Sequence, residues 1–353
     1  GNQRSKNQWT LYKYDILGRL LYTSEGIFTS SYENCRDGHK NMVIKESFSL
    51  EPHAYPVFDT GYSKNYYHLR STKLYIVNYY DDYLFLEKLS PTVKTLLTYD
   101  SSQENEYGNK YASAKGLLTG TRIYLLDGSG TYTTTAYYYD YRGNTIQTRA
   151  SNHMAGYDMT YHAYDFTGNI IQSLIEHTAS DYSAFSVTEL YTYTYDHAGR
   201  LTDTKYKLDN NSEILLTSNE YDELGRLKGK ERHNHTDSEQ FEYNIRNWTT
   251  KIKSRDFEQN LYYNTTIYNP YAEARYNGNI VYSTWTYNGV TKAYVYDYDE
   301  LNRLTEATAY QTNGYTLYAP DNQEKFDYDK QGNIIRLWRD QNYSGVDFLQ
   351  MTY

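Results

Sequence analysis

A seven-residue pattern recurs along this chain of 353 residues and constrains what the chain can fold into. In its clearest copy, residues 221–227, Tyr221-Asp222 precedes two variable residues, the turn residue Gly225, then Arg226 and an aliphatic residue. Gly and Asn tolerate positive φ, so Asp-x-x-Gly between strand-forming runs predicts a type I turn followed by a left-handed residue. The pattern therefore predicts the tip of a β-hairpin.

Seven copies of the pattern share the tyrosine, the aspartate and the turn position, which is Asn instead of Gly in one copy. They comprise Tyr14, Asp15, Gly18 and Arg19; Tyr139, Asp140 and Gly143; Tyr164, Asp165 and Gly168; Tyr195, Asp196, Gly199 and Arg200; Tyr221, Asp222, Gly225 and Arg226; Tyr298, Asp299, Asn302 and Arg303; and Tyr328, Asp329 and Gly332. Degenerate copies at 243–248 and 276–280 fill the long interval before Tyr298. Intervals of roughly 25 to 31 residues are typical of a repeat protein with about two strands per repeat.

Counting outward from the tip gives a pairing register. Asp222 should lie opposite Arg226, and Tyr221 opposite Leu227 one step further in. Successive strand residues point to opposite faces of a sheet. The register therefore predicts that the tyrosines of the tips line one face and the Asp-Arg or Asp-Asn pairs the other.

The repeats define the expected domain organisation. We expect an all-β fold in which residues 137–353 form an array of hairpins in a curved or spiralling antiparallel sheet, with a first hairpin in residues 1–23. Residues 24–136 have a different, irregular texture, in which Leu74–Tyr80 and Tyr83–Leu89 are predicted to be two strands about Asp81-Asp82. A β-propeller is the architectural alternative, although its blades need about 40 to 50 residues each.

Composition and charge narrow the choice of partners. The net charge is −9, and no run of Lys or Arg forms a basic stripe, which argues against nucleic acid and anionic membranes as partners. No apolar run is long enough to span a bilayer. Tyrosine dominates the aromatic residues, with 47 Tyr against 10 Phe and 4 Trp, and tyrosine can pack its ring while its hydroxyl stays hydrogen-bonded.

The ends of the sequence resemble cut ends. Gly1 is typical of tag removal, and residues 348–353 read as a strand without a closing turn. We therefore expect a piece of a longer protein, and the lack of a signal peptide decides nothing about location. The single cysteine, Cys35, excludes an internal disulfide.

Two clusters offer candidate chemistry, each with a simpler structural interpretation. His233 and His235 could present two imidazoles to a metal ion, but no cysteine or third histidine lies near them in the sequence, so a polar hairpin loop is the favoured interpretation. Asp81 and Asp82 could form a carboxylate pair, but adjacent strand residues point apart, which favours a turn. Neither cluster predicts a bound cofactor.

Two further candidates are weaker. Cys35 with His39 and His53 lacks any signature that orients a thiol nucleophile. The segment 127–130, Asp-Gly-Ser-Gly, lacks the rest of a phosphate-binding loop and is flanked by strand-forming residues, so it predicts a hairpin turn. The Asp and Arg residues of the tips recur too often for catalysis, which needs one site. We expect no enzymatic activity.

The repeats at 195–201, 221–227 and 328–334 resemble the YD repeats of the rearrangement hot spot (RHS) family. The resemblance covers residues 139–353 well and residues 11–22 locally. It implies a long β-sheet strip that coils into a hollow shell, as in bacterial polymorphic toxins that enclose a C-terminal toxic domain, or in the related barrel of animal teneurins. The chain has no Asp-Pro pair of the kind at which many bacterial shells cleave themselves, and nothing after Tyr328 resembles a toxin domain.

We therefore expect a non-catalytic scaffold from a bacterial secreted or cell-surface protein that encloses or presents a C-terminal toxin domain. The alternative is an adhesin-like module that binds glycan or protein through exposed aromatic rings. Tyr137, Tyr138, Tyr139 and Tyr141 cannot all share one face of a strand, so some of these rings must be exposed.

Overall fold

The computed structural model describes residues 8–28, 48–50, 60–62, 69–180, 184–264, 274–312, 317–341 and 346–352. These residues fold into two compact units. The first comprises residues 1–199 and 205–213, and the second comprises residues 200–204 and 214–353. Cys35, His39 and His53 lie outside the described residues, and the predicted boundaries after residues 23 and 136 stay predictions.

The first unit is an antiparallel meander with a small helical cover. Its strands are β1 (Gln8–Tyr14), β2 (Leu20–Phe28), β3 (Leu69–Asp81), β4 (Ala114–Tyr124), β5 (Tyr132–Tyr139), β6 (Thr145–Ser151), β7 (Tyr157–Tyr164), β8 (Ile170–Ala179) and β9 (Phe185–Tyr195). Each of these strands pairs with the next one along the chain. Strand β10 (Leu201–Leu208) is divided between the two units.

The second unit is also an antiparallel meander in which each strand pairs with the next. Its strands are β11 (Ile214–Tyr221), β12 (Leu227–Arg232), β13 (Asp237–Tyr243), β14 (Thr249–Lys253), β15 (Phe257–Tyr262), β16 (Tyr282–Tyr287), β17 (Val290–Tyr298), β18 (Leu304–Thr312), β19 (Leu317–Tyr328), β20 (Ile334–Gln341) and β21 (Val346–Gln350). The predicted all-β hairpin array is confirmed. The propeller alternative is wrong, because propeller blades are separate sheets of about four strands.

One predicted strand is a helical segment instead. Leu84–Lys88 forms a 3-10 helix, followed by α1 (Pro91–Leu97), a 3-10 turn at Ser101–Gln103 and α2 (Glu104–Tyr107). Phe85 and Leu86 are adjacent in sequence and both buried, which the alternation of a strand does not allow. The prediction of a strand at Tyr83–Leu89 is therefore wrong.

The helical cover packs on one face of the first unit's sheet and forms its main core. Phe85 stacks on Tyr79 with ring centroids 4.6 Å apart, and Leu97 and Tyr138 are buried in the same cluster. Gly120 makes room for Phe85, since a Cβ there would lie 2.2 Å from its ring. These apolar contacts fix the cover to strands β3 to β5.

The second unit has a thinner interior. Its buried cluster consists of Val281, Tyr282, Ala293 and Val295. The residues of strands β11 to β15 are half-buried or exposed along their whole length. The stability of this part of the sheet therefore depends more on hydrogen bonds and cross-strand contacts than on a deep apolar core.

Candidate functional site

The tip at residues 221–227 shows why the repeated residue types are needed. The N–H of Gly225 donates to the carbonyl of Asp222 at 2.9 Å, and the N–H of Asp222 donates to the carbonyl of Arg226 at 2.9 Å. Gly225 has φ +82°, in the left-handed region that favours glycine. Asp222 Oδ1 accepts from the N–H groups of Leu224 and Arg226, each at 2.9 Å. The motif thus closes a type I turn with its bulge.

The same turn forms at the other copies of the motif. Its turn hydrogen bond to the aspartate carbonyl comes from Gly18, Gly143, Gly168, Gly199, Asn302 and Gly332. Asn302 adopts φ 62°, and Asn247 in the degenerate copy at 243–248 adopts φ 63°. The structure therefore places every motif residue predicted from the sequence at a hairpin tip.

Hydrogen bonds lower the pKa of the aspartates at several tips, as Asp299 and Asp165 illustrate. The backbone N–H of Arg303 lowers the pKa of Asp299 most strongly, with help from the Arg303 side chain. At Asp165, the hydroxyl of Thr167 is the leading cause, and the pKa falls to about 2. Groups with such depressed pKa values do not take up protons near neutral pH, which suits a structural role better than general acid or base catalysis.

From the second hairpin on, a tyrosine at a strand end contacts the hairpin before it. In seven of the nine pairs its hydroxyl donates to the backbone carbonyl of the residue that follows the Arg or Asn of the earlier tip; the two exceptions are Leu118, which lies within β4, and Thr249, which follows Trp248. We call this series the tyrosine ladder. In the first unit the pairs are Tyr80 to Leu20 (3.1 Å), Tyr139 to Leu118 (2.5 Å), Tyr164 to Thr145 (2.9 Å) and Tyr195 to Ile170 (2.8 Å). In the second unit they are Tyr221 to Leu201 (2.9 Å), Tyr243 to Leu227 (2.8 Å), Tyr263 to Thr249 (2.8 Å), Tyr298 to Ile280 (2.9 Å) and Tyr328 to Leu304 (2.7 Å).

A β-bulge beside seven of the tips explains why the ladder is needed. Tyr221 pairs with Leu227, but Glu220 pairs with Gly229, so Lys228 is an extra residue on its strand. The same shift occurs at the tips that begin at residues 14, 139, 164, 243, 298 and 328. A bulge interrupts the backbone pairing, and the tyrosine of the next repeat supplies a donor to a carbonyl in the interrupted region.

The arginine of one tip packs on the tyrosine of the next tip. The guanidinium carbons lie 4.4 Å from the ring centroid for Arg19 over Tyr80, 4.7 Å for Arg200 over Tyr221, 4.9 Å for Arg226 over Tyr243 and 4.7 Å for Arg303 over Tyr328. Where Trp248 replaces the arginine, its ring packs on Tyr263 at 4.9 Å. Arginine over an aromatic ring adds a cation-π attraction.

These contacts correct the predicted arrangement of faces. The prediction that tip tyrosines and Asp-Arg pairs lie on opposite faces is wrong, because Arg226 lies against the ring of Tyr243. The prediction applied the alternation of side chains without an extra residue between consecutive tips. The bulge at Lys228 inserts one residue there, which changes the face on which the following side chains lie. Sequence reasoning also missed two ladder tyrosines, Tyr80, whose Tyr-Asp pair lacks the turn residue, and Tyr263, which has no aspartate after it. It missed Trp248 as well, which packs on Tyr263.

Asp81 and Asp82 hold the connection after β3. Arg19 binds Asp81 with two hydrogen bonds of 3.0 and 2.6 Å, and the N–H of Gly116 donates to the same carboxylate at 2.6 Å. The hydrogen bonds from Arg19 are the main reason that the pKa of Asp81 is lowered. Asp82 accepts from the N–H of Leu84 at the start of the 3-10 helix at 2.9 Å. Both carboxylates are therefore committed to backbone or to arginine.

The remaining candidates also lie in turns. His233 and His235 have positive φ in the loop between β12 and β13, and His235 contacts Glu231. Within the described parts of the chain, no group of three or more His, Cys, Asp or Glu side chains could hold a metal ion. In the segment 127–130, the N–H of Ser129 donates to Asp127 Oδ1 at 2.9 Å in a hairpin turn.

The tyrosines at the end of β5 and in the tip that follows it do not all lie in the same environment, as the alternation of strand side chains requires. Tyr138 is buried and donates to the carbonyl of Leu97 at 2.5 Å. Tyr139 belongs to the ladder, and Tyr141 at the tip is exposed. Tyr138 and Tyr139 therefore combine a packed ring with a bonded hydroxyl. Among the residues with coordinates, no helix is long and apolar enough to cross a membrane.

No family model matches this chain, and no curated protein matches it significantly. Among solved structures, it is similar to a chain of the crystal structure of TcdB2-TccC3-Cdc42, with 11% identity and a TM-score of 0.38. It is also similar to a chain of the crystal structure of TcdB2-TccC3, with 11% identity and a TM-score of 0.37. The two matches cover 98% and 97% of this chain but only 18% and 22% of the other chains. The chain therefore spans less than a quarter of the length of either.

Proposed function

We propose that this chain is a non-catalytic wall segment of a bacterial secreted or cell-surface protein of the RHS/YD-repeat type. The wall encloses or presents a C-terminal toxin domain of the same polypeptide. The observation that carries this proposal is the repeated use of the tip residues, since the tyrosine of one hairpin bonds the carbonyl of the hairpin before it at nine places. A wall needs the same contact at every repeat, whereas catalysis needs one site.

The state of the charged tip residues also supports a structural role. Arg226 Nε bonds Asp222 at 2.7 Å, and Arg303 Nε bonds Asp299 at 2.6 Å. The pKa of Asp299 is lowered, chiefly by the backbone N–H of Arg303 and further by the Arg303 side chain. A catalytic acid or base instead needs a pKa near the working pH. The tip carboxylates are therefore suited to hold loops and not to transfer protons.

The thin interior of the second unit is consistent with a wall whose faces are covered by other parts of a longer polypeptide. Strands β11 to β15 have half-buried residues on both faces. Such strands retain apolar area that a cargo or neighbouring segment can bury.

Protease protection of the native polypeptide tests this proposal. The full protein, isolated from its source, is treated with protease before and after the repeat region is unfolded with denaturant, and the fragments are identified by mass spectrometry. We expect a domain beyond residue 353 that resists cleavage only while the repeats are folded. A polypeptide without such a domain, or one whose domain is cleaved at the same rate in both states, would refute the enclosing role.

An adhesin-like surface is the second candidate, and one aromatic stack favours it. Trp285 and Tyr294 stack at 5.2 Å, and Tyr294 and Tyr296 at 5.9 Å. Ala293 and Val295 alternate with these tyrosines and belong to the buried cluster, so the stack lies on the other face of the sheet. Aromatic rings of this kind can pack against sugar rings. Glycan-array binding that Trp285→Ala abolishes would support this function, and an array without binding would exclude it for the glycans tested.

A further inference from the structure

The tips of the second unit present apolar side chains that the fold does not need. Leu224, Ile245 and Leu301 are 74%, 99% and 69% exposed. They occupy variable positions of the motif, where the turn imposes no residue type. Single exposed apolar residues are normal on protein surfaces. Their recurrence at three of the five tips of this unit is not explained by packing within the described residues and indicates a contact surface.

These tips form one continuous row, which we call the tip row. It comprises residues 222–226, 244–248, 276–280, 299–303 and 329–333. Hydrogen bonds join each tip to the next: Arg226 to Asn247 Oδ1 (3.0 Å), Arg246 to the carbonyl of Tyr276, Asn277 to Asn302 Oδ1 (2.5 Å), and Arg303 to the carbonyl of Asp329 (3.0 Å). The order of the tips in space is therefore the order in sequence.

The spacing of the row restricts what can bind it. Consecutive tips are separated by about two strand spacings, or roughly 10 Å. A rigid protein partner must offer apolar and charged groups at the same interval to contact more than one tip. A second copy of this chain has the same interval between its tips, because its tip row is identical.

The exposed charges at the tips provide the second argument. Each turn has two apical residues, and along the row these pairs are Glu223-Leu224, Ile245-Arg246, the uncharged Asn277-Gly278, Glu300-Leu301 and Lys330-Gln331. Their charges run negative, positive, neutral, negative, positive. When the row is compared with the same row in the reverse order, every charged tip lies opposite a tip of the opposite charge. A two-fold axis at the tip 276–280 therefore places each charge opposite its counter-charge on a second copy.

The same axis brings the apolar groups together. Ile245 of one copy lies opposite Leu301 of the other, and the arrangement occurs twice because the axis is two-fold. The turn at Asp222 already bonds its own backbone groups. Burying such a tip therefore leaves few polar groups without partners.

We propose that the chain forms an antiparallel homodimer through the tip row, with Arg246 of each copy facing Glu300 of the other. This inference goes beyond the wall function and does not depend on it. The interface is isologous, so it closes on itself and does not propagate into fibres. Residues of the first unit are not required.

Sedimentation velocity of the 353-residue chain over a concentration series tests the dimer. We expect a monomer-dimer equilibrium that Ile245→Ser combined with Leu301→Ser shifts to monomer. The matched control combines Tyr287→Ser and Val290→Ser, which are 58% and 61% exposed at the turn between β16 and β17. This control should leave the dimer intact.

A charge swap tests the pairing itself. Glu300→Arg places two positive charges together and should raise the dimer Kd at least about tenfold. Adding Arg246→Glu to the same chain reverses both partners and should restore the wild-type Kd. Restoration of the Kd distinguishes specific pairing of Arg246 with Glu300 from non-specific association. Non-specific association would not recover when both charges are reversed.

Three results would overturn the proposal. The first is a monomer at every concentration, and the second is a dimer that the tip variants leave unchanged. The third is a monomer that binds phosphatidylcholine vesicles and loses that binding on Ile245→Ser, because the row would then contact lipid and not a second copy. Circular dichroism of each variant checks that the fold is retained.

Discussion

Replacing Tyr221 by Phe removes one bond of the tyrosine ladder and leaves the rest of the tip in place. The lost bond is the 2.9 Å hydrogen bond from the Tyr221 hydroxyl to the carbonyl of Leu201. The ring under the guanidinium of Arg200, 4.7 Å away, is retained. A neutral hydrogen bond contributes about 0.5 to 1.5 kcal/mol net, so we expect a loss of about 1 kcal/mol in the free energy of unfolding.

A second substitution makes the measurement more decisive. Tyr328→Phe removes the 2.7 Å bond to the carbonyl of Leu304, and the two sites share no partner. Their effects should therefore add to about 2 kcal/mol. Urea denaturation of the full chain, followed by circular dichroism, measures this loss as a lower midpoint with an unchanged slope.

Tyr287→Phe is the matched control, because Tyr287 is exposed and lies outside the ladder. It makes the same chemical change and should shift the midpoint by no more than about 0.5 kcal/mol. If Tyr221→Phe and Tyr328→Phe behave like this control, the hydroxyl bonds do not stabilise the repeats. The structural explanation of the motif would then fail.

Three other predictions test separate parts of the fold. Gly225→Val forces a β-branched residue to φ +82° and should cost more than about 1 kcal/mol, with Gly225→Asn less harmful in the same thermal unfolding assay. Gly120→Ala places a Cβ 2.2 Å from the Phe85 ring and should lower Tm through a loss of about 1 to 3 kcal/mol, which Phe85→Leu should partly relieve. The pKa of Asp165 is lowered from its ordinary value of 3.8 to about 2 in the folded chain. The ionised carboxylate therefore stabilises the fold above about pH 4, and this stabilisation is lost as the pH falls towards 2. The Tm of Asp165→Asn should accordingly depend less on pH between about 4 and 2 than the Tm of the unchanged chain.

The hairpin tips were the most predictable part of this structure. Asp222 and Gly225 impose their turn through local geometry, because the carboxylate bonds nearby backbone N–H groups and glycine tolerates positive φ. Pairing of Tyr221 with Leu227 follows from the length of the loop. Local rules of this kind depend only on residues that are close in sequence.

The ladder and the helical cover could not be predicted in the same way. The bond from Tyr80 to Leu20 joins residues far apart in sequence, and the Tyr80-Asp81 pair lacks the turn residue of the motif. The bulge at Lys228 has no sequence signature, yet it changes which side chains meet. Phe85 leaves the strand pattern because it packs against Tyr79 in the cover. Each of these features depends on tertiary contacts that override local preference.

The intact mass and termini of the native polypeptide, isolated from its source and analysed by mass spectrometry, test the wall function most directly. We predict a polypeptide much larger than 353 residues, with a distinct domain beyond Tyr353 as the candidate cargo. A native product that ends close to Tyr353 would contradict the wall function, because the repeats would have no domain of their own polypeptide to enclose or present.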